Sequence, residues 1–515
     1  RCVCFVSRRA QQANMPDNKR QKSSADDHCA ECSCAEEGSS SELAAPGLPA
    51  TMKAVVWRGD PDPSKMVIEM IKTPRPKADE VLVKVKACGV CHTDLHCILG
   101  EVPFPQPAVF GHEICGEVVA FGPSDRAPPF PIGTKVMSPF IMPCSRCSFC
   151  SKGEEDTCET FFALNRLKGH LYDDSTRLVT AGETPEEVAM YSFAGLAEYA
   201  VVPRTAVFAL PPALLQAGLY EESCVLGCAF FTAYGAIRNA AGFDPTATRA
   251  AAAAAATTIA AGSECAGAGD DADGAAGGAG PLSTCVIGCG GVGGALIQLL
   301  KYAGCSPIIA VDVTDEALAQ AKALGATHGV KSSAETDAVK RISELTGGRK
   351  VDVCFEVIGL KRTFEQARAH ARMRACMCGP WWLHAPLHAH SPYSHALPPC
   401  TRVMHTHHVC MLSCLSRQAI MSVRDGGRCC FIGISDVKTV AHVPITHVVR
   451  RRISLVGSYG ARASTDMPAL LEIAARGGVD LEGAITRRFG LDEAGEAYSL
   501  LKARKITGRA IVRFP

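Results

Sequence analysis

A glycine-rich turn between an apolar strand and a helix restricts the folds open to this chain of 515 residues more than any other feature. Residues 285–287 read CVI, typical of a buried strand, and residues 288–293 read GCGGVG, the spacing G-x-G-x-x-G. In that spacing Gly288 permits a tight turn, Gly290 lets the backbone approach a pyrophosphate, and Gly293 lets the helix pack closely on the strand. The helix N-terminus favours negative charge. We therefore predict a dinucleotide-binding unit.

Strands and helices alternate after this turn. Residues 308–313, 351–357 and 428–432 are apolar strand candidates, and residues 317–324 form a helix that ends at a glycine. Such alternation predicts an α/β fold with a parallel, doubly wound sheet covered on both faces. Asp312 ends the strand after the turn, where its carboxylate would accept hydrogen bonds from the adenosine ribose hydroxyls and repel a 2′-phosphate. We therefore predict NAD rather than NADP.

The first half of the chain has a different pattern. Residues 52–226 contain short β runs separated by Gly and Pro, which predicts an irregular, mostly β barrel. Residues 1–51 hold few apolar groups, and we expect a disordered leader there. The leader opens with basic residues, as a transit peptide does, but an acidic stretch follows. We expect a cytoplasmic protein, with mitochondrial or plastid targeting left open.

Two segments interrupt the strand–helix rhythm. Residues 245–281 are rich in Ala and Gly, and residues 367–418 carry eight of the sixteen His. The second segment has no repeated ligand spacing, so we favour an inserted low-complexity loop over a metal-binding tract. Its two flanks would join into one helix, and we hypothesise that it is an unspliced or wrongly included segment.

Four cysteines, Cys144, Cys147, Cys150 and Cys158, are spaced C-x2-C-x2-C-x7-C within a polar loop. Four thiolates this close can surround one tetrahedral zinc ion and leave no open position, which is typical of a structural site. The loop has little apolar surface of its own, so a metal would stabilise it. We interpret the cluster as a structural zinc lobe rather than as unrelated thiols among the 27 Cys.

A third motif combines residues 88–96, which read CGVCHTDLH, with Gly111, His112 and Glu113. Cys, His, Asp and Glu on neighbouring loops can build a second metal site, although spacing alone does not say which of them ligate. The net charge of +1 gives no indication of nucleic acid or an anionic membrane as a partner. No apolar run reaches the roughly 18–20 residues that cross a bilayer.

These motifs occur in the order found in the zinc-dependent medium-chain alcohol dehydrogenases, which the chain resembles from Met52 to Phe514 apart from the two insertions. It looks closest to the plant and algal branch, on residues 140–144 (FIMPC) and 457–460 (GSYG). The resemblance implies a GroES-like β-barrel catalytic domain over 52–226 with the zinc lobe at 144–158. It further implies a Rossmann NAD-binding domain over 227–452, and a return to the catalytic domain over 453–515.

The resemblance also implies roles for individual residues. It makes Cys91, His112 and Cys228 the ligands of a catalytic zinc, as in the Cys2His sites known from alcohol dehydrogenases, and Asp94 the carboxylate that orients His112. Glu113 would lie close behind the metal. Thr93 would take the alcohol proton and pass it through the nicotinamide ribose to His96. The resemblance makes the glycine motif, including Gly291, and Asp312 part of the cofactor site. It adds four further cofactor contacts: His92, Thr232, Val292 and Arg509.

The resemblance implies a reversible hydride transfer between NAD and a primary or secondary alcohol or its aldehyde, two zinc ions per chain, and a homodimer or homotetramer. Three alternatives stay open. A zinc-free reductase of the quinone oxidoreductase type would lack the Cys91, His112 and Cys228 set. A catalytically inactive zinc-binding structural protein would follow if residues 367–418 disrupt the fold. A glutathione-dependent formaldehyde dehydrogenase would oxidise formaldehyde only when glutathione is present.

Overall fold

A computed structural model of the chain describes residues 43–44, 47–249, 281–333, 336–359, 416–435, 440 and 443–515. Most of the two predicted insertions lies outside these residues. Two parts of the predicted disordered leader lie within them: β1 (Leu43–Ala44) pairs with the strand Ile114–Phe121, and β2 begins at Thr51. The backbone of these few residues is therefore paired in sheets, and the expectation of a disordered leader over residues 1–51 stays a prediction.

The second half of the chain builds a parallel sheet. Its spatial order is β14-β13-β12-β15-β16-β17, and every neighbouring pair is parallel. The strands are β12 (Thr284–Ile287), β13 (Ile308–Asp312), β14 (His328–Lys331), β15 (Val351–Glu356), β16 (Val423–Phe431) and β17 (Ser454–Gly457). The order reverses between β12 and β15, where doubly wound sheets bind ligands beyond the carboxyl ends of the strands.

Both faces of this sheet are buried. Along β12, Cys285 and Ile287 pack in one apolar cluster, whereas Val286 packs in another. Because side chains alternate between the two faces of a strand, this division places a core on each side. The α/β prediction with a doubly wound sheet is confirmed. The α-helices that lie wholly within the described residues are His92–Ile98, Pro212–Gln216, Ala229–Gly235, Gly291–Tyr302, Asp315–Leu324, Ala338–Leu345, Ile445–Arg450, Ala463–Ala475, Leu481–Ala484 and Ala494–Lys502.

The first half of the chain, together with two strands from its end, forms two mostly antiparallel sheets. One has the order β11-β7-β6-β4-β19-β18, with β1 and β10 attached, and the other has the order β3-β2-β5-β9-β8. The strands are β2 (Thr51–Trp57), β3 (Val67–Lys72), β4 (Glu80–Val90), β5 (Ala108–Val109), β6 (Ile114–Phe121), β7 (Lys135–Ser138), β8 (Leu178–Val179), β9 (Glu187–Met190), β10 (Tyr199–Pro203), β11 (Phe208–Ala209), β18 (Ile485–Gly490) and β19 (Arg509–Arg513).

The end of the chain returns to the first of these sheets. β19 pairs antiparallel with β4, and β18 pairs with β19. β17, however, lies at the edge of the parallel sheet, past the domain boundary predicted at residue 452. The predicted domain limits stay predictions.

Short 3-10 and π-helical turns complete the fold. They are Pro63–Lys65, Cys150–Lys152, Glu155–Thr157, Phe161–Arg166, Arg204–Ala206, Glu222–Gly227, Ala236–Ala241 and Leu491–Glu493. Among the described residues, no helix is long and apolar enough to cross a membrane.

Candidate functional site

Four side chains from distant parts of the chain meet in a buried cluster. Cys91 caps the helix that follows β4, His112 and Glu113 precede β6, and Cys228 precedes the helix Ala229–Gly235. One potential ligand atom from each lies within 4.8 Å of the others, and the two Sγ atoms of Cys91 and Cys228 are 4.0 Å apart. All four residues are buried. Thiolate, imidazole and carboxylate groups at this separation can hold a zinc ion.

The turn before His112 requires a glycine. Gly111 has φ of +94°, and a Cβ there would lie 2.7 Å from Cys88 Sγ and from the backbone nitrogen of Leu196. A larger residue would have to move the backbone on which His112 sits.

A chain of hydrogen bonds orients the His112 ring. Its Nδ1 donates to Asp94 Oδ1 at 2.8 Å, and the Tyr498 hydroxyl donates to Asp94 Oδ2 at 2.7 Å. His112, Asp94 and Tyr498 are all fully buried or nearly so. With Nδ1 engaged, Nε2 faces the cluster, and it has no hydrogen-bond partner among the described residues. A buried ring nitrogen that makes no hydrogen bond, lies beside two thiols and is 3.8 Å from Glu113 Oε1 is suited to a metal, so the residues present fit zinc.

Metal binding by the cluster would be coupled to its protonation, and the hydrogen bond to Cys91 together with burial raises the pKa of Cys228 well above 9.0. The hydrogen bond from the Cys228 thiol lowers the pKa of Cys91 well below 9.0, and the neighbouring His112 adds to this effect. Burial lowers the pKa of His112, but Asp94 and Cys91 outweigh burial and raise it well above 6.5. Because zinc binds thiolates and neutral imidazole, metal uptake by these residues would release protons.

Glu113 connects the cluster to the glycine-rich turn through Arg509. Arg509 Nη2 donates to Glu113 Oε1, and both side chains are buried. Burial raises the pKa of the Glu113 carboxyl to about 7, against the opposite effect of the Arg509 guanidinium. A Cβ built on Gly291 would lie 2.4 Å from Arg509 Cδ, so Arg509 lies against the N-terminus of the helix Gly291–Tyr302. Arg509 was predicted to contact a pyrophosphate, and this position is compatible with that role.

The glycine-rich turn has the geometry that its spacing predicts. Gly288 has φ of +96°, in the left-handed region that favours glycine. A Cβ on Gly293 would lie 1.9 Å from the Gly288 carbonyl oxygen, whereas a Cβ on Gly290 would meet no heavy atom within 4 Å. Asp312 Oδ2 accepts from the backbone N–H of Cys289 at 2.8 Å, which holds the turn against β13. Open space at Gly290, in front of a helix N-terminus, is suited to a phosphate.

The residues predicted for proton transfer lie on the helix His92–Ile98. Thr93 Oγ1 is 3.5 Å from Cys91 Sγ and is half-buried. His96 lies one turn further along, with Nδ1 2.5 Å from Glu101 Oε2 and 13% of its side chain exposed. His92 is exposed on the same helix. Their roles stay predictions.

Two further predicted cofactor contacts lie on helices beside the cluster. Thr232 is buried on the helix after Cys228, and its N–H donates to the Cys228 carbonyl at 2.8 Å. Val292 is half-buried in the first turn of the helix that follows the glycine-rich turn.

The four-cysteine lobe also converges. One sulfur from each cysteine lies within 4.8 Å of the others. Backbone N–H groups point at the sulfurs: Cys147 donates to Cys144 Sγ at 3.4 Å, and Cys150 donates to Cys147 Sγ at 3.5 Å. Burial raises the pKa of Cys147, but the N–H and thiol of Cys150 outweigh it and lower the pKa to about 6. Cys147 can therefore supply a thiolate at neutral pH, whereas burial raises the pKa of Cys158 to about 11 and also raises the pKa of Cys150, so metal binding by these two thiols would release protons.

Two protein-family models match the sequence. The alcohol dehydrogenase GroES-like domain matches residues 77–212, which include Cys91, His112 and the four-cysteine lobe. The zinc-binding dehydrogenase domain matches residues 291–379, starting within the glycine motif. Together the two matched domains support a chain of the zinc alcohol dehydrogenase type among the medium-chain dehydrogenases. It is accordingly an oxidoreductase of that type, and its GroES-like and Rossmann-like fold class is confirmed.

Solved structures agree with this fold. An alcohol dehydrogenase zinc-binding domain protein from Burkholderia ambifaria is 25% identical with a TM-score of 0.66, over 90% of this chain and 99% of that one. Benzyl alcohol dehydrogenase from Acinetobacter calcoaceticus is 21% identical with a TM-score of 0.65, over 90% and 99%. A zinc-binding dehydrogenase structure from Sinorhizobium meliloti 1021, bound to NADP, is 19% identical with a TM-score of 0.60, over 90% and 100%. None of these matches bears on the predicted plant and algal branch.

Sequence reasoning missed two residues beside the cluster. Tyr498 lies 404 positions from its partner Asp94, on an ordinary amphipathic helix. Arg166 ends the run FFALNR after the four-cysteine lobe, and although a charged residue is usually exposed, this one is buried. No local signal in the sequence distinguishes either residue.

Proposed function

We propose that this dehydrogenase is NAD-dependent, holds a catalytic zinc ion on Cys91, His112 and Cys228, and interconverts primary or secondary alcohols with aldehydes or ketones. The observation that carries the proposal is the buried cluster in which His112 Nε2 faces two thiols and makes no hydrogen bond to any described residue. Oxidation removes a hydride from the alcohol carbon and a proton from its oxygen, and NAD⁺ accepts the hydride.

Bound zinc supplies Lewis acidity, which lowers the pKa of an alcohol in the same sense as that of water. The chain's own residues supply position and proton transfer. Asp94 fixes the His112 ring through Nδ1, with Tyr498 as its second donor. The Thr93 hydroxyl would accept the alcohol proton, and His96, whose Nδ1 lies 2.5 Å from Glu101 Oε2, would receive it at a ring nitrogen.

The cofactor would lie across the glycine-rich turn. Gly290 leaves space for the pyrophosphate, and Arg509, against Gly291, would add a positive charge. Asp312 would accept from the adenosine ribose and repel a 2′-phosphate, while Thr232 and Val292 would contact the nicotinamide and His92 would face the pyrophosphate. These placements support NAD although one similar structure contains NADP. A higher kcat/KM with NADP than with NAD would contradict the assignment.

Zinc in the four-cysteine lobe would be structural, since four thiolates leave no open ligand position. We propose two zinc ions per chain, and a homodimer or homotetramer as the assembly.

The decisive experiment replaces one cluster ligand at a time. We expect Cys91→Ser and His112→Ala to abolish alcohol-dependent NADH formation while NAD binding is retained, because neither side chain belongs to the glycine-rich turn. Cys305→Ser is the matched control, since Cys305 is a buried thiol outside both clusters. Full activity in either ligand variant would contradict the catalytic role. Activity that requires glutathione would identify the formaldehyde-oxidising alternative.

A further inference from the structure

Arg166 is a buried guanidinium whose nitrogens make no hydrogen bond of normal geometry within the described part of the chain, although the Tyr459 hydroxyl lies nearby. The residue is 9% exposed and ends the turn Phe161–Arg166, and its three side-chain nitrogens have no partner among the described residues. No carboxylate in the described part of the chain forms an ion pair with it. An uncompensated buried charge costs several kcal/mol, so Arg166 is expensive for the fold to retain.

Three aromatic rings surround this charge. Arg166 Cζ lies 4.1 Å from the ring centroid of Tyr191, 4.7 Å from that of Phe161 and 5.5 Å from that of Phe140. Such cation–π contacts offset part of the cost of burial, about 0.5–2 kcal/mol each. They satisfy none of the five N–H donors of the guanidinium, whose planar fork matches a carboxylate.

The neighbouring residue holds the site in place. The Asn165 side-chain amide donates to the carbonyls of Met190 and Ser192, and its carbonyl accepts from the Ser192 N–H at 2.9 Å. These bonds fix the backbone on both sides of Tyr191. Arg166 and the ring on which it stacks are therefore positioned together rather than placed by a mobile surface turn.

The rings around Arg166 also contact the proposed metal cluster. The ring centroids of Phe140 and Tyr191 lie 5.9 Å and 5.7 Å from that of His112. One aromatic side chain therefore separates the guanidinium from a proposed zinc ligand. Tyr459 packs on Phe140 at 5.4 Å and also lines a cavity of about 440 Å³ at the carboxyl ends of β16 and β17.

We propose that Arg166 binds the carboxylate of the substrate, so that the enzyme acts on alcohols or aldehydes with a carboxylate at the end remote from the reacting oxygen. This proposal rests on the proposed function, whose substrate class it names. The aromatic rings would contact the apolar part of such a substrate. For para-hydroxymethylbenzoate the reaction removes a hydride and a proton, giving para-formylbenzoate, NADH and H⁺.

The test compares matched pairs: para-hydroxymethylbenzoate against benzyl alcohol, and omega-hydroxyhexanoate against hexanol. A hydrogen bond between two charged groups corresponds to about ten- to hundredfold in binding. We expect at least one acid to exceed its neutral partner in kcat/KM by about that factor. Arg166→Gln should remove the preference, and Arg166→Lys should restore part of it because it keeps the charge but loses the planar fork. Arg238→Gln is the control, since Arg238 is paired with Asp466 at 3.2 Å.

Binding is measured separately from turnover, as the rise in the thermal unfolding midpoint of the protein when each compound is added. If neutral alcohols react as well as both acids and Arg166→Gln changes nothing, the carboxylate proposal fails and the proposed function stands. If nothing turns over but the acids raise the midpoint of the parent protein and not of Arg166→Gln, the anion site stands and the proposed function fails. If neither activity nor a midpoint shift is seen, both fail.

Discussion

Replacing Tyr498 by Phe tests whether the carboxylate behind His112 controls metal affinity. The change removes one hydroxyl and keeps the buried ring, so packing is retained. The lost hydrogen bond, 2.7 Å from Tyr498 Oη to Asp94 Oδ2, has a charged acceptor, and such bonds contribute about 1.5–3 kcal/mol. Only part of that energy acts on the metal, because His112 keeps its own bond to Asp94 Oδ1 at 2.8 Å.

Residues that orient a metal-binding His typically change metal affinity about 10- to 100-fold. We expect Tyr498→Phe to weaken zinc binding by an amount near the lower end of this range, about tenfold or about 1.4 kcal/mol. Asp94→Asn should lie near the upper end, because His112 then loses its charged acceptor. The assay is competition for zinc with a chromogenic chelator at neutral pH, with release from the four-cysteine lobe as an internal reference.

Tyr234→Phe is the matched control, because the Tyr234 hydroxyl is buried and has no hydrogen-bond partner among the described residues. It should leave zinc affinity unchanged. If Tyr498→Phe binds zinc as tightly as the parent protein and the control, the hydrogen-bond chain does not act on the metal, and the reasoning is refuted.

Three further predictions concern other parts of the account. Gly290→Ala should weaken NAD binding without lowering the unfolding midpoint, because a Cβ at this position has no heavy atom within 4 Å. Gly182→Ala is the control in the NAD titration, since a Cβ there also has no heavy atom within 4 Å. Cys147→Ser should lower the zinc content by one ion per chain and reduce the unfolding midpoint; an unchanged zinc count would disprove the structural site. Burial raises the pKa of Asp352, but hydrogen bonds from a serine and an arginine outweigh it and lower the pKa from 3.8 to about 2. Its charged form therefore stabilises the fold above about pH 4, by about 2–3 kcal/mol at most. Asp352→Asn should lose this stabilisation at pH 7 and unfold at a lower temperature than the parent protein. The difference between the midpoints of the variant and the parent protein should shrink as the pH falls from 4 towards 2.

Much of the sheet structure could be predicted because residue patterns at short range determine it. The alternating residues 81–87 lie within β4, residues 135–137 within β7, and residues 285–287 within β12. The glycine motif specified its own geometry, since Gly288 needs a positive φ and Gly293 has no room for a Cβ. These features require no knowledge of the rest of the chain.

The candidate site depended on long-range contacts. Cys91 and Cys228 are 137 positions apart, and only the resemblance to a known family placed them together. The Glu113–Arg509 pair spans 396 positions, so its effect on the cluster could not be inferred from spacing. Arg166 was missed for a different reason: a charged residue is usually exposed, and its burial by aromatic rings follows only from the folded structure.

Zinc content and alcohol-dependent NADH formation, measured on the same preparations of the parent protein and Cys228→Ser, test the central claim most directly. The account predicts about two zinc ions per chain and turnover in the parent protein, and about one zinc ion without turnover in the variant, because three thiolate or imidazole ligands hold the catalytic ion. Equal zinc content and equal turnover in the two proteins would contradict it.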